Sequence, residues 1–262
     1  EQGSVVVGQS GSLSVEARYF SGGGLKDAPV RWNVSSAPTN FSPPNWEKFS
    51  FGSWTPWWDC YRWWESGNTT HTTTKSFEGR TNGAGKHTLD LQFRSLTPPR
   101  PHSLTATASV ADVNRQNWTA SATMLVHPAR HYVGIRPLST FVEAGKPLEY
   151  EFIVTDLDGM AVAGKPIEVK LVKFSWEDVD DDFRPVRKEV ASRQLTSSNP
   201  RLRLSLPAAE GGTYQLEATL RDDDNQSNQS QVTSWVAGGK QPPRRDVEIQ
   251  PLTLIPNKAR YE

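Results

Sequence analysis

Ser103-Leu-Thr-Ala-Thr-Ala-Ser-Val-Ala-Asp112-Val-Asn-Arg-Gln116-Asn-Trp-Thr-Ala-Ser-Ala-Thr-Met-Leu-Val126 lies over Thr213-Tyr-Gln-Leu-Glu-Ala-Thr-Leu-Arg-Asp222-Asp-Asp-Asn-Gln226-Ser-Asn-Gln-Ser-Gln-Val-Thr-Ser-Trp-Val236 without a gap. Identities are few: Asp112 with Asp222, Gln116 with Gln226, Thr123 with Thr233, Val126 with Val236. The pattern carries more. Each copy alternates apolar and small polar residues, through Leu104, Ala106, Ala108 and Val110 in one and Tyr214, Leu216, Ala218 and Leu220 in the other. Alternation of this kind marks a half-buried strand. An Asx-rich turn and a second strand follow, since Asn and Asp bond their own backbone and tolerate left-handed conformations. A closing hairpin that recurs after about 110 residues implies two copies of one β-module.

Working outward, the same signal recurs. Leu13, Val15, Ala17 and Tyr19 share one face, as do Val30, Trp32 and Val34, then His87, Leu89, Leu91 and Phe93. In the second copy Leu148, Tyr150, Phe152 and Val154 alternate, and Pro166-Ile-Glu-Val169 stands where Pro29-Val-Arg-Trp32 does. An acidic run from Glu177 to Asp182 interrupts this copy, with strands expected again at Val190–Leu195 and Leu202–Leu206. No window has helical periodicity. The expectation is an all-β chain of two tandem immunoglobulin- or fibronectin-like antiparallel sandwiches. Residues 1–127 form the first, with an insertion at 35–75, and 128–240 the second. Residues 241–262 read as a linker and the first strand of a following module. The chain therefore reads as a piece of a longer protein. Few contacts need cross the four-residue linker His127-Pro-Ala-Arg130, which suggests separable folding units.

Of 262 residues, Lys plus Arg number 29 and Asp plus Glu 29, so the net charge is zero. That argues against nucleic acid or an anionic membrane as the main partner. Cys60 is the single cysteine, so no internal disulfide can form. Six Asn-x-Ser/Thr triplets, at Asn33, Asn40, Asn68, Asn117, Asn225 and Asn228, reflect the abundance of these residues in turns.

The chemistry of the chain is sparse. No His pairs with Cys or carboxylates at zinc spacing, and His87 reads as a packed residue on a strand face. The acidic run and Asp222-Asp-Asp-Asn225 lack the Gly and closing Glu of a calcium loop and read as solvated. There is no Gly-x-Ser-x-Gly and no phosphate loop. Cys60, with Arg62 nearby, reads as an inert buried thiol. No catalytic residue, metal ligand or cofactor is assigned, and the chain is not expected to be an enzyme.

One region defies the sandwich pattern. Residues 35–75 hold Trp46, Trp54, Trp57, Trp58, Trp63 and Trp64, six of the ten tryptophans. Left in water, they would form a patch larger than monomers usually show. The insertion is expected to fold back on the first sandwich. Contact with a neighbouring module and a sugar-binding platform are the alternatives, and the six tryptophans are the candidate interaction surface.

Several long words in the sequence carry a family resemblance: Ala28-Pro-Val-Arg-Trp-Asn-Val34, Asn40-Phe-Ser-Pro-Pro-Asn-Trp46, Phe51-Gly-Ser-Trp-Thr-Pro-Trp-Trp58, Leu125-Val-His-Pro128, Val154-Thr-Asp-Leu-Asp-Gly159 and Gly211-Gly-Thr-Tyr214. With Ala17-Arg-Tyr-Phe20 and Val113-Asn-Arg-Gln116, they resemble bacterial α2-macroglobulins over nearly the whole chain. The resemblance implies macroglobulin modules, near the fifth and sixth of the family. It implies a periplasmic, often lipid-anchored protease trap in which cleavage of a bait segment collapses the chain around the protease. Host or competitor proteases would be partners of the full-length protein, neighbouring domains of the same chain the partners of this piece. The anchor would lie outside it. Many members hold the protease through a Cys-to-Gln thioester, but Cys60-Tyr-Arg-Trp63 lacks the Gln, and no bait-like stretch is present. This piece then reads as framework. The rival reading is a cell-surface adhesin or carbohydrate-binding array using the tryptophan-rich insertion.

Overall fold

The computed structural model describes residues 3–54, 72–179, 182–198 and 201–238, and all regular structure among them is strand. In the N-terminal half β1 (Gly3–Val6), β8 (Asn117–His127), β7 (His102–Ala111), β3 (Pro29–Pro38) and β5 (Thr73–Arg80) form one sheet in that order. β2 (Ser10–Glu16) and β6 (Lys86–Gln92) form the sheet facing it. In the C-terminal half β10 (Phe141–Val142), β16 (Ser227–Val236), β15 (Gly212–Arg221), β12 (Pro166–Val179) and β13 (Asp182–Thr196) repeat the five-strand order. β14 (Leu202–Leu206), β11 (Leu148–Asp156) and β9 (His131–Pro137) form the sheet opposite. β4 (Ser53–Trp54) comes from the insertion and joins the edge of β16.

The repeat extends to hydrogen bonds. In the first hairpin turn the Asp112 carboxylate accepts from the amides of Asn114 and Gln116, and Arg115 sits at φ 62°. In the second, Asp222 accepts from Asp224 and Gln226, and Asn225 sits at φ 59°. Asn82 with Gly85, and Asp156 with Gly159, build the same turn. An Asx side chain that mimics a backbone turn, closed by a left-handed residue, is thus used four times among the described residues.

Each half buries its own alternating residues. Val30, Trp32, Val34, Leu104, Ala106, Ala108 and Val110 centre one core, and Leu148, Tyr150, Phe152, Ile167, Tyr214, Leu216 and Leu220 the other. His87 is half-buried as expected, its Nδ1 accepting from Trp32 Nε1 at 3.1 Å. The acidic run departs from its expectation as a loop. β12 and β13 form one long hairpin that pairs Glu177 with Arg184, Asp178 with Phe183 and Val179 with Asp182, so β13 begins eight residues before Val190. Ladder hydrogen bonding overrides the poor strand propensity of Asp there.

Candidate functional site: the strap between the two sandwiches

β3 runs on to Pro38, and the chain then leaves the first sandwich. Residues 39–54 cross to the second half and lie along β9 and β16, which corrects the expected flap on the first sandwich for this part of the insertion; residues 55–71 lie outside the described residues. Phe41 packs edge-on against His127, with ring centroids 4.7 Å apart, and against Tyr132 at 5.2 Å. Trp46 Nε1 donates to Gly159 O at 2.8 Å. Gly159, at φ 84°, leaves no room for a side chain, because a Cβ there would lie 2.3 Å from Pro44 O. Ser50 and Ile135 exchange both backbone hydrogen bonds, at 2.8 and 3.0 Å. Gly52 N donates to Ser230 Oγ at 2.9 Å, and Gln231 N to Gly52 O at 2.7 Å. Ser53 and Trp54 then pair in parallel with Gln231 and Val232.

Apolar burial explains the route. Phe49 and Phe51 form a third cluster with Tyr132 and Ile153, and Trp46 and Phe41 pack against it. Gly134 makes the seat, since a Cβ there would meet Phe51 Cζ at 2.6 Å. The outer face of β11, which should be wet by alternation, is therefore almost wholly buried. Each aromatic ring so covered contributes on the order of 1.5–3 kcal/mol.

Two further crossings tie the halves. Gln229 N donates to Pro99 O at 2.9 Å, and burial lowers the pKa of the neighbouring Arg100 against an opposing effect of Glu217. In the linker, Arg130 N and Nε donate to Asp222 and Asp224 at 3.0 and 2.9 Å. His127 Nδ1 lies 2.8 Å from the Tyr132 hydroxyl, in a site where burial lowers the histidine pKa and raises that of the tyrosine. The expected separability rested on few crossing contacts; the strap, the Pro99 loop and the contact of His127 with Tyr132 remove that premise.

Beneath the strap, Glu151 is 2% exposed and faces Arg203 at 3.0 Å, Arg136 at 3.1 Å and Arg201 at 3.5 Å. Burial pushes its pKa up, but hydrogen bonding to Arg203 and the charges of Arg136 and Arg203 outweigh it and hold the carboxyl below its ordinary value. Arg136 also lies 5.8 Å over the Phe49 ring, so the ion cluster and the strap share a member. A shallow cavity of about 480 Å³ opens beside them, lined in part by Asn40, Glu47, Phe49, Trp54 and Arg136. Among the described residues no three His, Cys, Asp or Glu side chains group as metal ligands.

Of the candidate interaction residues, Trp46 is committed to the strap and Trp54, 36% exposed, flanks the cavity. Trp57, Trp58, Trp63 and Trp64 lie outside the described residues, as do Cys60 and Asn68. Asn228 is fully buried, its Oδ1 accepting from Val133 N at 3.0 Å. Sequence reasoning missed Gly134, Glu151 and Ser230. The one available signal was Ile153 and Glu151 on the supposedly wet face of β11, an apolar and a charged residue with no obvious reason to differ.

Paired sandwiches with a strap from one sealing the face of the other define an all-β, two-sandwich array. No family model matches the chain. An alpha-2-macroglobulin homolog from Nostoc sp. strain PCC 7120 is 23% identical over 242 residues, 89% of this chain and 12% of that protein. The circularly permutated Ras protein 2 of Dictyostelium discoideum is 31% identical over 130 residues, 49% of this chain and 3% of that protein. In fold, the native Escherichia coli alpha-2-macroglobulin covers 93% of the chain at TM-score 0.59 and 15% identity. The same protein activated by porcine elastase covers 92% at TM-score 0.61 and 16% identity. This chain spans 16% and 21% of those two chains. The chain is thus similar in fold to bacterial α2-macroglobulins and spans a small part of the length of the proteins it matches.

Proposed function

We propose that this chain is a framework segment of a bacterial α2-macroglobulin, a protease trap, built of two macroglobulin-like modules at 1–127 and 128–240. The observation that carries the reading is a likeness that runs through both halves and their junction within one relative. The strap gives the framework a physical role, because it fixes the second sandwich relative to the first at a cost in mobility that a tethered binding module would not need. Bait and capture chemistry belong to other parts of the longer protein, as does a lipid anchor holding it in the periplasm. Proteases are its partners; structures of the E. coli protein include forms activated by trypsin and by elastase. The adhesin reading loses Trp46, whose ring and indole N–H are used internally.

The chain is mixed with trypsin or elastase and cleavage of a large protein substrate is followed. A framework segment leaves the rate unchanged. Inhibition at stoichiometric ratios overturns the reading.

A further inference from the structure

Two buried histidines stand where the strap leaves the first sandwich. β3 ends at Pro38, which pairs with His102 of β7, and His102 pairs in turn with Val126, the neighbour of His127 on β8. Thr39 N, the first amide of the strap, donates to Pro101 O at 2.8 Å, so the strap and the Pro98–Pro101 loop start from one point. His102 and His127 are only 5% and 3% exposed. Each of these two crossings therefore runs past an imidazole. The strap passes His127 through Phe41, and the Pro99 loop leads directly into His102.

Neither ring has a ready partner for a second proton. His102 Nδ1 lies 3.1 Å from Ser36 Oγ of β3, and its Nε2 is buried with no hydrogen-bond partner among the described residues. The Pro98 carbonyl favours the charged form, but that oxygen already accepts from Arg100 N at 2.8 Å. Arg100 of the same loop is a partly buried cation, and its opposing charge is Glu217 of β15. His127 faces the Tyr132 hydroxyl of β9, which burial keeps protonated, and the uncharged Phe41 ring of the strap, with Val6 of β1 alongside. No carboxylate draws either histidine toward its charged form. A protonated imidazole carries two N–H donors and a charge, and burying these without partners is costly. His131 of β9 differs, because Asp156, Asp222 and Asp223 favour its charge against burial and Lys165.

We propose that the junction is an acid-sensitive latch: in mild acid, protonation of His127 and His102 lifts the strap base and the Pro99 loop from the second sandwich while both sandwiches stay folded. An opened junction wets both rings, which then bind protons below about pH 6.5. The closed junction refuses those protons, so it is favoured above that pH and loses ground below it. For each histidine that excludes the proton when closed, the open fraction rises up to about thirtyfold between pH 7.5 and pH 5. The two cores offer acid no such route. Burial raises the pKa values of Tyr150 and Tyr214, and Glu151, held below its ordinary 4.5, stays charged at pH 5. The framework reading asks for a rigid junction; the latch makes that rigidity depend on pH, and its test is independent of any effect on proteases.

The test is amide hydrogen exchange of the whole chain at pH 7.5 and pH 5, normalised for the pH dependence of chemical exchange. The crossing amides of Ser50, Gly52, Gln229 and Gln231 should lose about tenfold or more of their protection in acid, and those of Ala106, Phe152 and Leu216 less than about threefold. The loss should track the titration of the His127 ring followed by NMR. His127→Gln and His102→Gln, made singly and together, should each remove part of the acid response at the crossing amides. Should the double variant fail to fold, the singles carry the same reading. Unchanged protection at the crossing amides, equal loss in the cores, or a full acid response in the folded single variants overturns the proposal.

Discussion

Phe51→Ala tests the strap most sharply. Phe51 is 4% exposed, and its ring lies over Gly134 and Ile153. Deleting a ring so enclosed costs about 3–5 kcal/mol, the transfer of the ring plus the cavity left behind. For a chain of this size each kcal/mol lowers the unfolding temperature by about 2–4 °C. Damage should concentrate at the strap. Amide exchange should rise at Gly52, Gln231 and Ile135, whose hydrogen bonds cross it, before it rises in either core. Gly134→Ala supplies the cross-check. The new methyl would meet Phe51 at 2.6 and 2.8 Å and Ile153 at 2.9 Å, an overpacking that costs about 1–3 kcal/mol. With Phe51→Ala already made, the two shortest contacts vanish. The double variant should then be more stable than the sum of the singles by about 1–2 kcal/mol. Additivity within about 0.5 kcal/mol, or a Phe51→Ala cost below about 1 kcal/mol, refutes the strap as a lock.

Arg115 holds a left-handed φ of 62° where the matching turns at Asn82 and Asp156 use Gly, so Arg115→Gly should stabilise by about 0.5–1 kcal/mol in chemical denaturation. Burial, the largest cause in each case, lowers the pKa values of His102, His127 and His131 below 6.5. The unfolded chain then takes up protons near pH 6.5 that the folded chain refuses, so stability is full above that pH and falls below it. The slope is at most about 1.4 kcal/mol per pH unit for each histidine, and His127→Gln should reduce it in a stability–pH series. Glu151 is depressed instead, so its contribution is present above pH 4.5 and fades as pH drops through its folded value. Glu151→Gln should flatten that acid limb of the same series.

The sequence made the strands legible wherever one face was dry and one wet. The repeated hairpins, Val30-Trp32-Val34 and Leu148-Tyr150-Phe152-Val154 all fall where alternation puts them. Two kinds of feature were hidden. The strand ends at 177–179 and 182–184 gain their order from a ladder partner, which no local propensity reveals. The strap's destination was hidden because aromatics announce burial without naming their cover. Its seat depends on Gly134, a residue whose meaning is the absence of a side chain. The words Asn40–Trp46 and Phe51–Trp58 carried the resemblance to bacterial α2-macroglobulins, and their described residues reach the second sandwich through Trp46, Gly52 and Ser53–Trp54.

The central claim is that strap, Pro99 loop and linker join the two sandwiches into one framework. Differential scanning calorimetry of the whole chain measures this directly. A locked pair gives one transition whose van't Hoff and calorimetric enthalpies agree, and Phe51→Ala splits or broadens it. Two resolved transitions in the unaltered chain, unmoved by Phe51→Ala, would contradict the account.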